Sequence, residues 1–346
     1  MSKYLIPIFL LAISTPHHES VESGSKQRGV SWVGSGVVAE DDFLPLVENH
    51  VDWIAQTPFG WQQDYNSPTF ELVRGRRVLW GERDKGIELT TRLAKKFGIK
   101  TLLKPHIWLR NRSDGKWRSD IEMDSEADWQ SWFENYRRFI LHYARLAEKN
   151  GIEALSVGTE LHATIKQRPR DWQKIIAEVR KVYTGKLTYS ANWYEEFEDV
   201  KFWDELDFIG IQAYFPLSDK HNPTIEELMA GWRSHLEAIE KVRKKYRKPV
   251  LFTEIGYKNT TDSAIKPWEW LRSSSDAASE AELQTQVNCY EAFFQTFWNK
   301  DWFAGSYIWK WFPKSRRQFR RVRDRFTPQN KPAEKVMAKW YGKAVD

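Results

Sequence analysis

Eight short apolar runs, rich in β-branched and aromatic residues, recur along the chain and alternate with longer amphipathic segments. Near-continuous apolar character is expected of parallel strands that helices cover, whereas half-exposed strands alternate strictly. The runs are residues 29–34, 51–57, 101–109, 154–161, 187–193, 208–215, 250–257 and 305–311. Eight such units predict an α/β fold of the (β/α)8 TIM-barrel type, forming a single domain.

The segments between the runs carry one-sided apolar stripes at helical spacing, which predicts helices over 82–97, 128–149 and 224–246. Asp128 and Thr224 are predicted N-caps. The structural alternative is a doubly wound sheet. Its dinucleotide fingerprint is missing, because the glycines at 34 and 36 lack a third partner, and no P-loop pattern occurs.

The N-terminus has the pattern of a targeting segment. A ten-residue apolar run at 4–13 follows a lysine, and Ala12 and Ser14 are the small residues of a cleavage site. Such a run is too short to cross a bilayer core of about 30 Å. An unprocessed hydrophobic tail is the alternative. We expect a secreted or periplasmic protein with a signal peptide at 1–14, a disordered lead-in at 15–27 and a catalytic barrel at 28–346.

Composition limits the classes of function. The net charge is +6, and residues 310–325 carry eight Lys or Arg against one Asp. This run could bind nucleic acid or another anionic polymer, but a solvated face is the commoner meaning, and we expect no nucleic-acid partner. The single cysteine, Cys289, lies in an apolar helical pattern and is predicted to be a buried thiol. The 19 tryptophans predict sugar-stacking surfaces or an aromatic-rich core.

Two carboxylates end otherwise apolar strands. Active sites of (β/α)8 barrels lie at the C-terminal strand ends, where Glu160 lies near the end of the fourth run and Glu254 lies in the seventh. Strands four and seven lie on roughly opposite sides of the barrel, so the two side chains can face each other. Retaining glycosidases use such a pair about 5–5.5 Å apart. The alternative is that either glutamate pairs with Lys or Arg to order the barrel mouth.

Further side chains at the strand ends are candidates for holding a substrate, and Lys104 is predicted to form an ion pair beneath the site. No metal or other cofactor is expected, because there is no His-Glu-x-x-His pattern and two histidines make a poor zinc site. The predicted substrate-binding residues are Trp32, Trp61, His106, Trp108, Thr159, Asn192, Trp193, Tyr214 and Trp309.

Four motifs in this order resemble glycoside hydrolase family 113, which is known for β-1,4-mannanase activity: KPHIW at 104–108, VGTEL at 157–161, IQAYFPL at 211–217 and FTEIGY at 252–257. The resemblance covers most of residues 28–340. It implies a retaining hydrolase of β-1,4-linked mannan or manno-oligosaccharides, with Glu160 as acid/base and Glu254 as nucleophile. It also implies that Tyr214 lies beside the nucleophile and that Trp309 forms a sugar platform.

One position departs from the pattern of the wider clan. Many members carry Asn directly before the acid/base, where it binds the sugar 2-hydroxyl, and this chain has Thr159. Asn192 or His106 would then supply that contact. Two alternatives stay open: a retaining β-glycosidase of glucan or xylan, and a non-catalytic carbohydrate-binding barrel. The expected partner is a β-linked oligo- or polysaccharide, and we expect a monomer without a membrane span.

Overall fold

The computed structural model describes residues 26–343 except 35, 73–77, 114, 271–276 and 314–323. The predicted signal peptide and residues 15–25 of the predicted lead-in lie outside the described residues, as does most of the basic run. The first strand begins at Gln27, one residue before the predicted start of the barrel.

The described residues contain eleven strands. Eight of them close a barrel in the order β1-β11-β10-β9-β8-β7-β5-β2, and every pairing between them is parallel. The predicted (β/α)8 fold is therefore confirmed. The strands are β1 (Gln27–Trp32), β2 (Trp53–Gln56), β3 (Phe59–Gln62), β4 (Phe70–Leu72), β5 (Lys100–Leu103), β6 (His106–Leu109), β7 (Ala154–Thr159), β8 (Lys186–Asn192), β9 (Phe208–Gln212), β10 (Val250–Ile255) and β11 (Phe303–Trp311).

The third apolar run is not one barrel strand, as predicted, but two strands in different sheets. β5 belongs to the barrel, whereas β6 pairs in parallel with β3, which pairs with β4 in an antiparallel manner. Pro105 lies at the break and has no backbone N–H to donate to a neighbouring strand. The small sheet continues the chain beyond the C-terminal ends of β2 and β5, so its side chains border the barrel mouth.

Helices α3 (Glu126–Asn150) and α7 (Ile225–Tyr246) show how local sequence signals determine where a helix begins. Ser125 rather than Asp128 caps α3, because the Ser125 hydroxyl accepts from the Asp128 backbone N–H; the predicted cap was wrong by three residues. Thr224 caps α7 as predicted. The helices are α1 (Leu44–Glu48), α2 (Asp84–Lys96), α3 (Glu126–Asn150), α4 (His162–Gln167), α5 (Pro169–Arg180), α6 (Glu196–Asp199), α7 (Ile225–Tyr246), α8 (Glu280–Phe297) and α9 (Pro332–Tyr341).

Much of the aromatic surplus lies in the core between the barrel and its helices. Trp132 and Trp172 are fully buried, and Trp132 stacks on Tyr136 with ring centroids 5.0 Å apart. A Cβ on Gly158 would lie 2.7 Å from the Tyr189 ring and 2.8 Å from that of Trp172, so only glycine fits there. Cys289 is buried as predicted, and burial raises the pKa of its thiol. Within the described ranges, no helix is both long enough and apolar enough to cross a bilayer.

Candidate active site

The two predicted catalytic glutamates lie at irregular strand ends. Glu160 directly follows β7 and has a left-handed backbone, with a φ of 52°. The register of β7 against β8 shifts between Ser156 and Thr159 just before it. Glu254 lies on β10, whose register against β9 shifts between Phe252 and Glu254. Such irregularities turn a side chain away from the direction that strict alternation would give it.

Both glutamates line one cavity of about 810 Å³ at the C-terminal ends of the barrel strands. This volume is typical of a ligand site, and so is a mostly aromatic wall with a few convergent polar groups. Six predicted substrate-binding residues also line the cavity: His106, Trp108, Asn192, Trp193, Tyr214 and Trp309.

Glu254 is held by three side chains. Its Oε2 accepts hydrogen bonds from Lys104 Nζ at 2.6 Å and from Gln212 Nε2 at 3.1 Å, and its Oε1 accepts one from the Tyr214 hydroxyl at 2.5 Å. The predicted ion pair of Lys104 is confirmed, with Glu254 as its partner. Burial lowers the pKa of Lys104, while the charge of Glu254 opposes that shift. The arrangement fixes both oxygens of a buried carboxylate.

Glu160 has looser surroundings. Trp117 donates from Nε1 to its Oε2 at 3.4 Å, and Arg118 Nε lies 3.7 Å from the same oxygen. These contacts are longer than those of Glu254, and the Glu160 carboxyl faces the cavity. One of the two carboxyl groups thus accepts three close hydrogen bonds, whereas the other has only longer contacts.

A third carboxyl group lies nearby and was not predicted from sequence. Glu196 is fully buried; it accepts hydrogen bonds from the Tyr189 hydroxyl and from the backbone N–H of Asn192. Tyr189 in turn accepts from the backbone N–H of Leu161, the residue after Glu160. Burial raises the pKa of Glu196 to about 8, and the charge of Glu160 acts in the same direction. Glu196 therefore connects the end of β8 to the turn that carries Glu160.

Three predicted substrate-binding residues are not among those that line the cavity. Trp32 is only 2% exposed and stacks on Phe43 with ring centroids 5.0 Å apart. Thr159 is buried, and its hydroxyl donates to the backbone oxygen of Pro105. Trp61 lies opposite Trp108 in the small sheet, with its ring against that of Trp108. These three predictions therefore differ from the lining that the structure gives.

Several lining residues were missed because they come from the connections that follow barrel-mouth strands, and Arg118 begins a short 3-10 helix in one of them. Trp117 and Arg118 follow β6, and Trp268 and Trp270 follow β10. Loops at the C-terminal face build the active sites of barrels, so the two tryptophans in the long loop after Glu254 carried a usable signal. The stretch from 115 to 118 carried no such signal in the sequence.

In the part of the chain that the structure describes, no group of three or more His, Cys, Asp or Glu is placed to hold a metal ion.

Comparison with known proteins agrees with this geometry. The model of Glycoside Hydrolase Family 113 matches residues 27–331. The chain belongs to this family. This family 113 protein is therefore a glycoside hydrolase, and no functionally curated protein matches it.

Solved structures similar to this family 113 enzyme include a β-1,4-mannanase of the same family. It is 28% identical with a TM-score of 0.76, over 92% of this chain and 100% of that chain. A family 113 β-mannanase from Alicyclobacillus acidocaldarius, in complex with ManMIm, is 28% identical with a TM-score of 0.77, over 92% and 97% of the two chains. A β-glucuronidase from Ruminococcus gnavus is 12% identical with a TM-score of 0.62, over 92% and 49%, and shares the fold alone.

Proposed function

We propose that this enzyme hydrolyses β-1,4-linked mannan or manno-oligosaccharides with retention, using Glu254 as nucleophile and Glu160 as acid/base. The observation that carries the proposal is the difference between the two carboxyl groups of one cavity: Glu254 is held by three donors, and Glu160 is not. A double displacement needs two carboxyl groups with different roles, because one attacks the anomeric carbon and the other transfers a proton.

Glu254 is suited to nucleophilic attack. The ammonium of Lys104 and the amide nitrogen of Gln212 can only donate, so Oε2 of Glu254 carries no proton. The hydroxyl of Tyr214 holds the other oxygen. Attack of one carboxylate oxygen on the anomeric carbon forms the glycosyl ester, while the bond to the leaving oxygen breaks.

Glu160 is suited to proton transfer. Its protonated carboxyl gives a proton to the leaving glycosidic oxygen, and the resulting carboxylate takes one from the water that cleaves the ester. The Arg118 guanidinium at 3.7 Å remains near the carboxylate form. The substrate assignment rests on the two family 113 β-mannanases that resemble this chain at 28% identity.

Product analysis tests the reaction and the substrate together. Purified enzyme is incubated with manno-, gluco- and xylo-oligosaccharides, and the first anomer released is read by proton NMR. We expect hydrolysis of the manno-series with the β-anomer formed first. Preferred cleavage of the gluco- or xylo-series would overturn the substrate, and an α-anomer formed first would overturn retention.

Three variants test the residue roles. Glu254→Ala should lose the glycosylation step, with azide restoring turnover as an α-glycosyl azide. Glu160→Ala should still cleave aryl glycosides with good leaving groups, because these need no proton. Glu178→Gln, which removes a carboxylate paired with Arg137 on the helical layer, is the matched control and should keep wild-type turnover. Near-wild-type turnover of Glu254→Ala would overturn the assignment.

A further inference from the structure

His106 lies in the cavity wall with one ring nitrogen engaged and the other free. Arg118 Nη1 lies 2.6 Å from His106 Nδ1. His106 is 5% exposed, and its Nε2 has no hydrogen-bond partner among the described residues. An unpaired buried polar atom is unfavourable, so a ligand in the cavity that pairs with Nε2 gains from it.

The contact with Arg118 fixes the tautomer of His106. A guanidinium has N–H donors and no acceptor, so Nδ1 must present its lone pair. The neutral ring then carries its hydrogen on Nε2. His106 thus carries an unpaired, buried N–H donor in the cavity wall, and the partner of this donor must be an acceptor such as a hydroxyl oxygen.

Arg118 is itself rigidly placed. Its guanidinium carbon lies 4.6 Å from the centroid of the Trp117 ring and 5.4 Å from that of Trp108, so two indole rings fix its plane. From this position Nη1 reaches His106, while Nε lies 3.7 Å from Oε2 of Glu160. One side chain therefore orients two others in the same cavity.

We propose that Arg118 is a positioning residue that holds His106 as a neutral Nε2–H donor for a substrate hydroxyl and aligns it with Glu160. The inference rests on the proposed function only for the identity of the hydroxyl, which belongs to the sugar. The tautomer of His106 is a property of the free enzyme.

The surrounding charges keep the ring neutral. Burial lowers the pKa of His106 well below its ordinary value, and the charges of Arg118 and Lys104 lower it further. The acidic groups of the site are engaged with these same cations: Glu254 pairs with Lys104, and Glu160 lies beside Arg118. Burial raises the pKa of a third carboxyl group, Glu196, to about 8, which favours its neutral form. A protonated His106 would add a third positive charge beside the two buried cations, Lys104 and Arg118.

Nitrogen-15 NMR of the histidine rings tests the proposal on the unmodified full chain, without substrate. With His106 assigned from backbone resonances, we expect one neutral Nε2–H form from pH 5 to pH 8. An Nδ1–H tautomer, or titration of His106 within that range, would overturn the proposal. This measurement is independent of whether the enzyme acts on mannan.

Variants add a kinetic test. In Arg118→Met, His106 should populate both tautomers and titrate, so the KM for manno-oligosaccharides should become pH-dependent, at least threefold lower on the acid side. The protonated ring carries a hydrogen on Nε2 and can donate it to the substrate, so the KM of Arg118→Met should fall as the pH is lowered. Arg118→Lys, which keeps the charge, should restore a ring that does not titrate. A KM for Arg118→Met that follows wild type at every pH would contradict the proposal.

Arg112→Met is the matched control. Arg112 also lies over the rings of Trp108 and Trp117, at 4.8 and 5.7 Å, and it is exposed. This variant should leave the His106 tautomer and the pH dependence of KM as in wild type. If Arg118→Met fails to fold, the wild-type NMR spectrum still decides the proposal.

Discussion

Lys104 Nζ lies 2.6 Å from Oε2 of Glu254, with side-chain exposures of 0% and 7%. Two opposite charges in such a buried position depend on each other, because each alone would be left without solvent or partner. Lys104 also donates to the backbone oxygen of Thr253 and to Gln212. The pair therefore ties the end of β5 to the ends of β9 and β10, and it positions the proposed nucleophile.

Lys104→Met should be strongly destabilising and inactive. The substitution leaves the Glu254 carboxylate buried without its cation, which typically costs about 3–5 kcal/mol of unfolding free energy. Urea unfolding measures the loss. Lys220→Met removes one partner of an exposed pair with Glu227 and should change the unfolding free energy by less than about 1 kcal/mol. The double variant Lys104→Met with Glu254→Gln should be more stable than Lys104→Met alone; strictly additive losses would contradict the coupling.

Tyr214→Phe should lower kcat with little effect on folding. The variant loses one hydrogen bond to the Glu254 carboxylate, and such bonds to charged groups contribute about 1.5–3 kcal/mol, or roughly ten- to hundredfold in rate. Steady-state kinetics on a manno-oligosaccharide measures the change. Tyr246→Phe removes a hydroxyl that donates to Val200 on the helical layer, and its kcat should match wild type. Equal kcat values for both variants would exclude a role of Tyr214 in tuning the nucleophile.

Trp268→Ala should weaken the binding of longer substrates. Trp268 is 40% exposed, lines the cavity and stacks on Trp193 with centroids 5.0 Å apart and an interplanar angle of 27°. Loss of such a flat surface should cost about 1 kcal/mol, or roughly fivefold in kcat/KM. Trp302→Ala, at the opposite end of the barrel before β11, is the control. The hypothesis fails if both variants lower kcat/KM for a hexasaccharide equally, or if only a disaccharide is affected.

The barrel and the glutamate pair could be predicted because each corresponds to a local pattern in the sequence. Parallel strands that are buried on both faces need continuous apolar runs, and Glu160 and Glu254 interrupt two of them. The split of the third run into β5 and β6 was harder to predict from the sequence. Pro105 marks the break, but the pairing of β6 with β3 joins segments far apart in sequence.

Which aromatic residues reach the cavity could not be predicted from strand position alone. Trp32 and Trp309 both lie near strand ends, yet Trp32 packs on Phe43 and Trp309 lines the cavity. The register of β1 against β11 shifts between Val30 and Trp32, and such a shift changes which side a residue faces. Arg118 begins a short 3-10 helix (Arg118–Asp120) in the connection after β6, where three residues are too few to show a periodic pattern.

Glu196 should make the enzyme less stable as the pH rises. Burial raises the pKa of its carboxyl from the ordinary 4.5 to about 8 in the folded chain. Between these values the unfolded chain releases a proton that the folded chain keeps, so the unfolding free energy falls with increasing pH. At about 1.4 kcal/mol per pKa unit, the decline is at most about 5 kcal/mol and is complete above pH 8.

Glu196→Gln should lack this contribution. Urea unfolding at pH 5, 6, 7 and 8 gives the difference in unfolding free energy between wild type and variant, in which other titrating groups cancel. We expect that difference to shift steadily toward the variant as the pH rises, whatever constant offset the changed hydrogen bonds to Tyr189 and Asn192 add. Glu198 is an exposed carboxylate on the same short helix, and the unfolding free energy of Glu198→Gln should depend on pH as that of wild type does. A difference for Glu196→Gln that stays constant from pH 5 to pH 8 would mean that this buried group is ionised throughout, and that Glu160 lies beside a permanent negative charge.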